Sequence, residues 1–194
     1  MAITDIRIIE EPISALREYG QVPIAFEVRS VLDIEVLGNG LEGFRMRERR
    51  VEQPWVKDYD AIANEGPTRW GKHWDISNWA VISAFVENSR VGGCVIAYNT
   101  DGVFKLEGRE DIAVLWDLRV APDYRGQGIG GRLVEAALSW AELHDCRLLK
   151  VETQSINVPA CRFYAKHGFV LGAINRFAYP ELPNEVELIW VRKL

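Results

Sequence analysis

Seven consecutive residues, Arg125-Gly126-Gln127-Gly128-Ile129-Gly130-Gly131, have the types and spacing to hold an anion. They lie between an apolar, strand-like run and an amphipathic, helix-like run. Glycines let a backbone turn and approach a ligand without a Cβ in the way. A helix that starts just beyond them offers unpaired N–H groups and a partial positive charge, the usual setting for a phosphate. Three other side chains could do chemistry. Asp117 interrupts an apolar strand, where an acid is costly unless it is paired or reaches a cleft. It reads either as a general base or ammonium anchor, or as a structural acid satisfied by backbone N–H groups near a bulge. Tyr164 carries a phenol with a pKa near 10 in water. Asn157 is a good helix N-cap, and its spacing from Tyr164 is nearly two helical turns, which puts both on one side of a helix.

Three ligands compete for the glycine stretch. A P-loop requires Gly-Lys-Ser or Gly-Lys-Thr at its end, and Gly130-Gly131-Arg132 stands there instead. A dinucleotide fingerprint is formally present as Gly126, Gly128 and Gly131, with Glu152 where a ribose-binding acid would fall. Its glycines should begin at the strand end, however, and Ala121-Pro122-Asp123-Tyr124-Arg125 intervenes. The third reading joins two motifs. Arg125-x-x-Gly128-x-Gly130 opens a helix, and Asn157, Ala160, Phe163-Tyr164 and Gly168-Phe169 follow after one helix and one strand. The pair resembles the Gcn5-related N-acetyltransferase (GNAT) family over residues 112–177. Within that family, Val151-Glu152-Thr153-Gln154-Ser155-Ile156-Asn157-Val158-Pro159-Ala160-Cys161 is similar to the streptothricin acetyltransferases, as are residues 27–34 and Pro54 with Lys57-Asp58-Tyr59. Residues 66–78, with two tryptophans, look like an insertion relative to them, and Trp116 stands where some of them carry an acid.

The resemblance implies acetyl-CoA as co-substrate and no metal. Backbone groups of Arg125, Gly126, Gln127, Gly128, Ile129 and Gly130 would hold the CoA pyrophosphate. The backbone of Leu118, Arg119 and Val120 would bind the acetyl carbonyl and pantetheine, with Asn157, Ala160 and Tyr164 completing the CoA site. Tyr164 would protonate the departing thiolate, and Asp117 is the candidate base. The side chains of Arg119 and Arg132 read as CoA-phosphate contacts or solvated salt bridges. Glu152 reads as structural or substrate-orienting, pairing with Arg147 or Lys150 or facing the substrate.

These residues need a scaffold. Apolar alternation predicts strands over residues 3–9, 26–37, 41–51, 79–86, 91–98, 112–120, 147–153, 169–177 and 185–192. Residues 26–37 and 41–51 form a hairpin about Gly38-Asn39-Gly40. Residues 129–144 form a helix with Ile129, Leu133, Ala136, Ala137 and Trp140 on one face, and Asn157 caps a short helix that ends before Gly168. Residues 53–78 read as an irregular aromatic loop, in which Trp55, Trp70 and Trp74, with Trp79 beyond it, either wall an acceptor pocket or tack the loop to the core. The expected fold is α/β: a GNAT fold with a mixed, mostly antiparallel central sheet and helices on both faces. It is read as one domain over residues 1–194, with N-terminal strands in 1–52, the loop in 53–78 and the acetyl-CoA core in 79–194.

Bulk properties narrow the function. The chain has 194 residues, 48% of them hydrophobic, enough for a single-domain core without a staple. A net charge of −5 argues against nonspecific binding to nucleic acid or an anionic membrane and is compatible with a cationic substrate. Cys94, Cys146 and Cys161 lack ligand spacing and read as reduced thiols of a cytoplasmic protein, and His73, His144 and His167 are scattered. Residues 1–5 do not read as a signal peptide. The expected function is acetyl transfer to a primary amine of a small cationic acceptor, such as a streptothricin-like antibiotic, which would make the protein a resistance factor. A protein or peptide N-acetyltransferase and a CoA-binding sensor without turnover are the alternatives. Homodimers are frequent in the family that the chain resembles, and the sequence leaves a monomer and a homodimer both open.

Overall fold

A computed structural model describes residues 5–63 and 65–194. In chain order the first elements are β1 (Ile6–Glu11), α1 (Leu16–Tyr19), β2 (Phe26–Val36), β3 (Phe44–Lys57), α2 (Pro67–His73), β4 (Ala80–Val86) and β5 (Ser89–Tyr98). They are followed by β6 (Ile112–Val120), α3 (Ile129–Leu143), β7 (Leu148–Gln154), α4 (Val158–Lys166), β8 (Val170–Asn175) and β9 (Glu187–Lys193). The chain divides into two compact units. The first holds residues up to 25, 58–151 and 191–194, and the second holds 26–57 and 152–190.

In the first unit the strand order is β1-β4-β5-β6-β7. The pairs β1–β4, β4–β5 and β5–β6 are antiparallel, whereas β6–β7 is parallel, from Ile112 opposite Leu148 to Leu115 opposite Val151. A parallel pair needs a long crossover, and α3 supplies it. One stripe of α3 is buried, including Ile129, Leu133, Val134, Ala137 and Ala141. It lies on the face where the Cys94 thiol meets the Leu133 carbonyl at 3.8 Å. Val95, the next residue along β5, belongs to the other face, in a core with Leu16, Tyr19, Trp70, Trp79, Val81, Ile112 and Val114. Helices therefore cover both faces, as expected, and each large side chain fully buried there contributes about 1.5–3 kcal/mol. Gly93 is required for this packing, since a Cβ would lie 2.8 Å from the Tyr19 ring and 2.7 Å from the Ile82 carbonyl.

A β-bulge in β6 sets the site's geometry. Val95 faces Asp117 but Ile96 faces Leu115, so Trp116 is the extra residue. An extra residue resets the two-residue alternation. Trp116 stays with the tryptophans beside Val114, and Asp117 then falls beside Tyr19 on that same face.

The aromatic segment 53–78 differs from its expected loop. Residues 53–57 continue β3, and Pro67–His73 is a helix. Pro54 does not end the strand because the register jumps between Val28–Trp55 and Ser30–Arg50, and the bulged residues need no ladder N–H. Gly66 at φ +93° followed by Pro67 at the first turn is a helix start hidden among loop residues. Trp70 and Trp79 are buried at centroid distance 6.1 Å, and Trp74 and Trp79 lie 4.9 and 5.1 Å from Trp116. These four rings tack the segment onto the core of the first unit. The first strand begins at Ile6, and Ile3 and Thr4 lie outside the described residues.

The second unit contains the β2–β3 hairpin, α4 and the strand order β7-β9-β8, β7 and β9 each having residues in both units. Its interior is knit by Thr153, whose hydroxyl accepts from Trp190 Nε1 at 2.8 Å and lies 3.3 Å from the Cys161 sulfur. No helix among the described residues is long and apolar enough to cross a membrane.

Candidate active site

The glycine stretch folds as an open cradle at the start of α3. Gly126 has φ +75° and Gly128, the N-cap of α3, has φ +85°. This left-handed region costs other residues about 1–2 kcal/mol. A Cβ at either position would meet nothing within 4 Å, so the glycines serve the backbone turn and leave the space above the loop open. The first turn of α3 has neither a side-chain cap nor an acidic residue. Its N–H groups and positive end are thus available to an anion, and the residues fit a diphosphate. Gln127 closes the turn by donating to the Asp123 carbonyl at 2.9 Å. The Arg125 guanidinium donates to the carbonyls of Val120 (2.9 Å), Ala25 (3.0 Å) and Pro23 (3.4 Å). It fixes the loop to the end of β6, and burial holds its pKa below the ordinary arginine value.

Upstream of the loop, β6 pairs with β7 only as far as Leu115. Leu118, Arg119 and Val120 pair with Cys94, Gly93 and Gly92 on the β5 side. Here the structure corrects the side-chain reading of Arg119. The residue is only 2% exposed and its ion pair with Asp117 is buried, whereas its other partner, Asp60, lies at the surface. Its Nε and Nη2 donate to Asp117 at 2.9 and 2.7 Å, and Nη1 and Nη2 donate to Asp60 at 2.8 and 3.3 Å. Nη1 also donates to the Val22 carbonyl at 3.0 Å, which completes the five N–H bonds a guanidinium can make. Burial alone would lower the Arg119 pKa; the hydrogen bonds and charge of Asp117 override it and raise it.

Among the described residues Asp117 is therefore satisfied by Arg119 and by the Tyr19 hydroxyl, which donates to Oδ1, where a backbone N–H partner was the structural expectation. Burial and the neighbouring Asp117 charge raise the Tyr19 pKa well above that of a free phenol. Tyr19 lies 98 residues from Asp117 and Asp60 lies 59 from Arg119. No spacing signal connects them, and sequence reading missed both. Only the isolated acid in an apolar strand hinted that partners must exist.

Glu152, Asn157, Ala160 and Tyr164 belong to the second unit. Asn157 Oδ1 accepts from the Ala160 N–H at 3.2 Å and so caps α4, with Pro159 in the first turn. Tyr164 lies further along the same helix and is 6% exposed, its ring 5.1 Å from Phe163 and 5.5 Å from Phe169. Glu152 accepts from the Tyr179 hydroxyl and, at 2.9 Å, from Gln154 Nε2, which also donates to Tyr179 at 3.0 Å. Burial, then the Glu152 charge, pushes the Tyr179 pKa strongly upward. Lys150 donates to Glu107 at 2.6 Å. Tyr179 sits in a stretch without regular alternation and was not singled out from sequence. No group of His, Cys, Asp and Glu among the described residues could hold a metal ion.

The stretch that carries the bulged strand and the glycine cradle matches a known family. The family model for acetyltransferase (GNAT) family proteins matches residues 47–169. The chain belongs to the GNAT acetyltransferase family. It is an acyltransferase, with acetyl-CoA as its donor. Streptothricin acetyltransferase A of Bacillus subtilis (strain 168) is 34% identical over 149 residues, 75% of this chain and 78% of the relative. Streptothricin acetyltransferase of Escherichia coli is 32% identical over 170 residues, 85% of this chain and 83% of the relative. The crystal structure of nourseothricin acetyltransferase superposes with a TM-score of 0.75 at 20% identity, covering 98% of this chain and 99% of the other, which places both in one fold.

Proposed function

We propose that this GNAT protein acetylates a primary amine of a small cationic acceptor of the streptothricin type. Its likeness to two streptothricin acetyltransferases over three quarters or more of its length carries the reading. The N–H groups of residues 126–130 hold the donor's pyrophosphate, and the guanidinium of Arg125 keeps that loop in place. Backbone groups of Leu118, Arg119 and Val120 orient the pantetheine arm and polarise the acetyl carbonyl as negative charge develops on it. Asn157 and Ala160 start the helix that carries Tyr164. Tyr164 donates its phenolic proton to the thiolate as the C–S bond breaks and the C–N bond forms.

An alkylammonium acceptor, with a pKa near 10.4, must first lose a proton. Asp117 holds the permanently charged Arg119 with both oxygens. Both oxygens are thus engaged within the protein, Oδ1 also by the Tyr19 hydroxyl. In this reading Asp117 is a positioning residue for β6, and water takes the ammonium proton. The test is release of free thiol from acetyl-CoA by the purified protein with streptothricin as acceptor. Thiol release that depends on the amine supports the reading. Acetyl-CoA binding without turnover of any amine would instead make the protein a sensor.

A further inference from the structure

The second unit carries a half-open cavity of about 680 Å³ that none of the roles above uses. Hydrogen bonds fix its frame. The Leu32 N–H donates to the Ser155 carbonyl at 2.8 Å, the Ser155 N–H to the Val186 carbonyl at 2.9 Å, and the Val186 N–H to the Ser155 hydroxyl at 3.1 Å. The hairpin, the end of β7 and the β8–β9 connection are thereby joined around one space. Lys57 and Glu185 close one side with a 2.6 Å ion pair whose side chains are 14% and 12% exposed.

The walls have a definite chemistry. Trp55 and Leu182, 42% and 38% exposed, and the buried Ile156 supply the apolar lining. Three carboxylates line the space. Asp33 is matched by Arg49 through bonds of 2.7 and 3.1 Å, and Glu185 by Lys57. Glu181 makes no ion pair among the described residues and leaves the wall net negative. A volume of this size suits a small molecule and not a protein segment. The negative wall disfavours an anion such as CoA. An aromatic face beside an unmatched carboxylate suits an organic cation, its charge on Glu181 and its body against the indole.

We propose that this cavity seats the body of the cationic acceptor, with Trp55 and Glu181 determining specificity. The proposal rests on the acetyltransferase reading above, and two measurements separate their failures. Steady-state kinetics with streptothricin should show the acceptor KM rising roughly three- to tenfold in Glu181→Gln and Trp55→Ala, as expected for a partly exposed ion pair and an aromatic contact. The KM for acetyl-CoA should hold. An unchanged acceptor KM in both folded variants overturns the cavity assignment and leaves the enzymatic reading standing. If the wild type acetylates no amine, calorimetric titration of streptothricin, with spermidine as a simple cation, decides the cavity alone. Weaker binding to Glu181→Gln than to wild type supports it; equal binding or none overturns it.

Discussion

At the scale of single residues, Asp117 and Arg119 show how burial changes a role. Arg119, read from sequence as a phosphate contact or a solvated salt bridge, is buried with Asp117, Tyr19 and the Val22 carbonyl, and reaches Asp60 at the surface. Arg119→Ala would strand Asp117, whose side chain is 7% exposed, without its cation. Breaking such a pair costs about 3–5 kcal/mol, and urea denaturation should show a loss of that size. Tyr164→Phe should lower kcat by about a hundredfold or more, the usual contribution of a general acid. The KM for acetyl-CoA should change little, which steady-state kinetics checks. Glu11 gives a pH prediction. Burial works to raise its pKa, but the hydrogen bonds from Arg90 and Ser83 prevail and hold it below the usual carboxylate range. Its contribution to stability is present above the unfolded carboxylate pKa and is lost as pH falls through the depressed folded value. Thermal melts of Glu11→Gln and wild type should therefore differ at pH 7 and converge in acid.

At the scale of elements, legibility followed local signals. Residues 112–120 and the start of α3 at Ile129 were readable because apolar runs and glycines mark them directly. The helix Pro67–His73 was not, since Gly66 and Gly71 punctuate it like a loop. The extension of β3 to Lys57 was hidden by Pro54, which a bulge tolerates. The bulge at Trp116 left no trace in residue types; it is set by pairing with β5, a contact distant in sequence. The cradle gives the prediction at this scale. Gly128→Asp should strain the αL turn and set a carboxylate beside the donor's phosphates. Acetyl-CoA KM should rise more than tenfold, while acceptor binding measured by calorimetry without acetyl-CoA stays within a factor of two. Equal loss of both would indicate a folding defect and not a donor site.

At the scale of the whole molecule, family and donor were legible because two motifs recur in order along one chain, Arg125-x-x-Gly128-x-Gly130 and then Asn157 to Tyr164. The acceptor was not legible in the same way. The cavity that we assign to it draws on β2, β3, the end of β7 and the β8–β9 connection, four separated stretches. A net charge of −5 gives no more than a general preference for cations. The property that defines this enzyme is the kind of amine that it acetylates. The most direct test compares kcat/KM for streptothricin with that for the amino terminus of a short alanyl peptide, each with saturating acetyl-CoA. At least a hundredfold preference for streptothricin is expected. A peptide used equally well or better would contradict it.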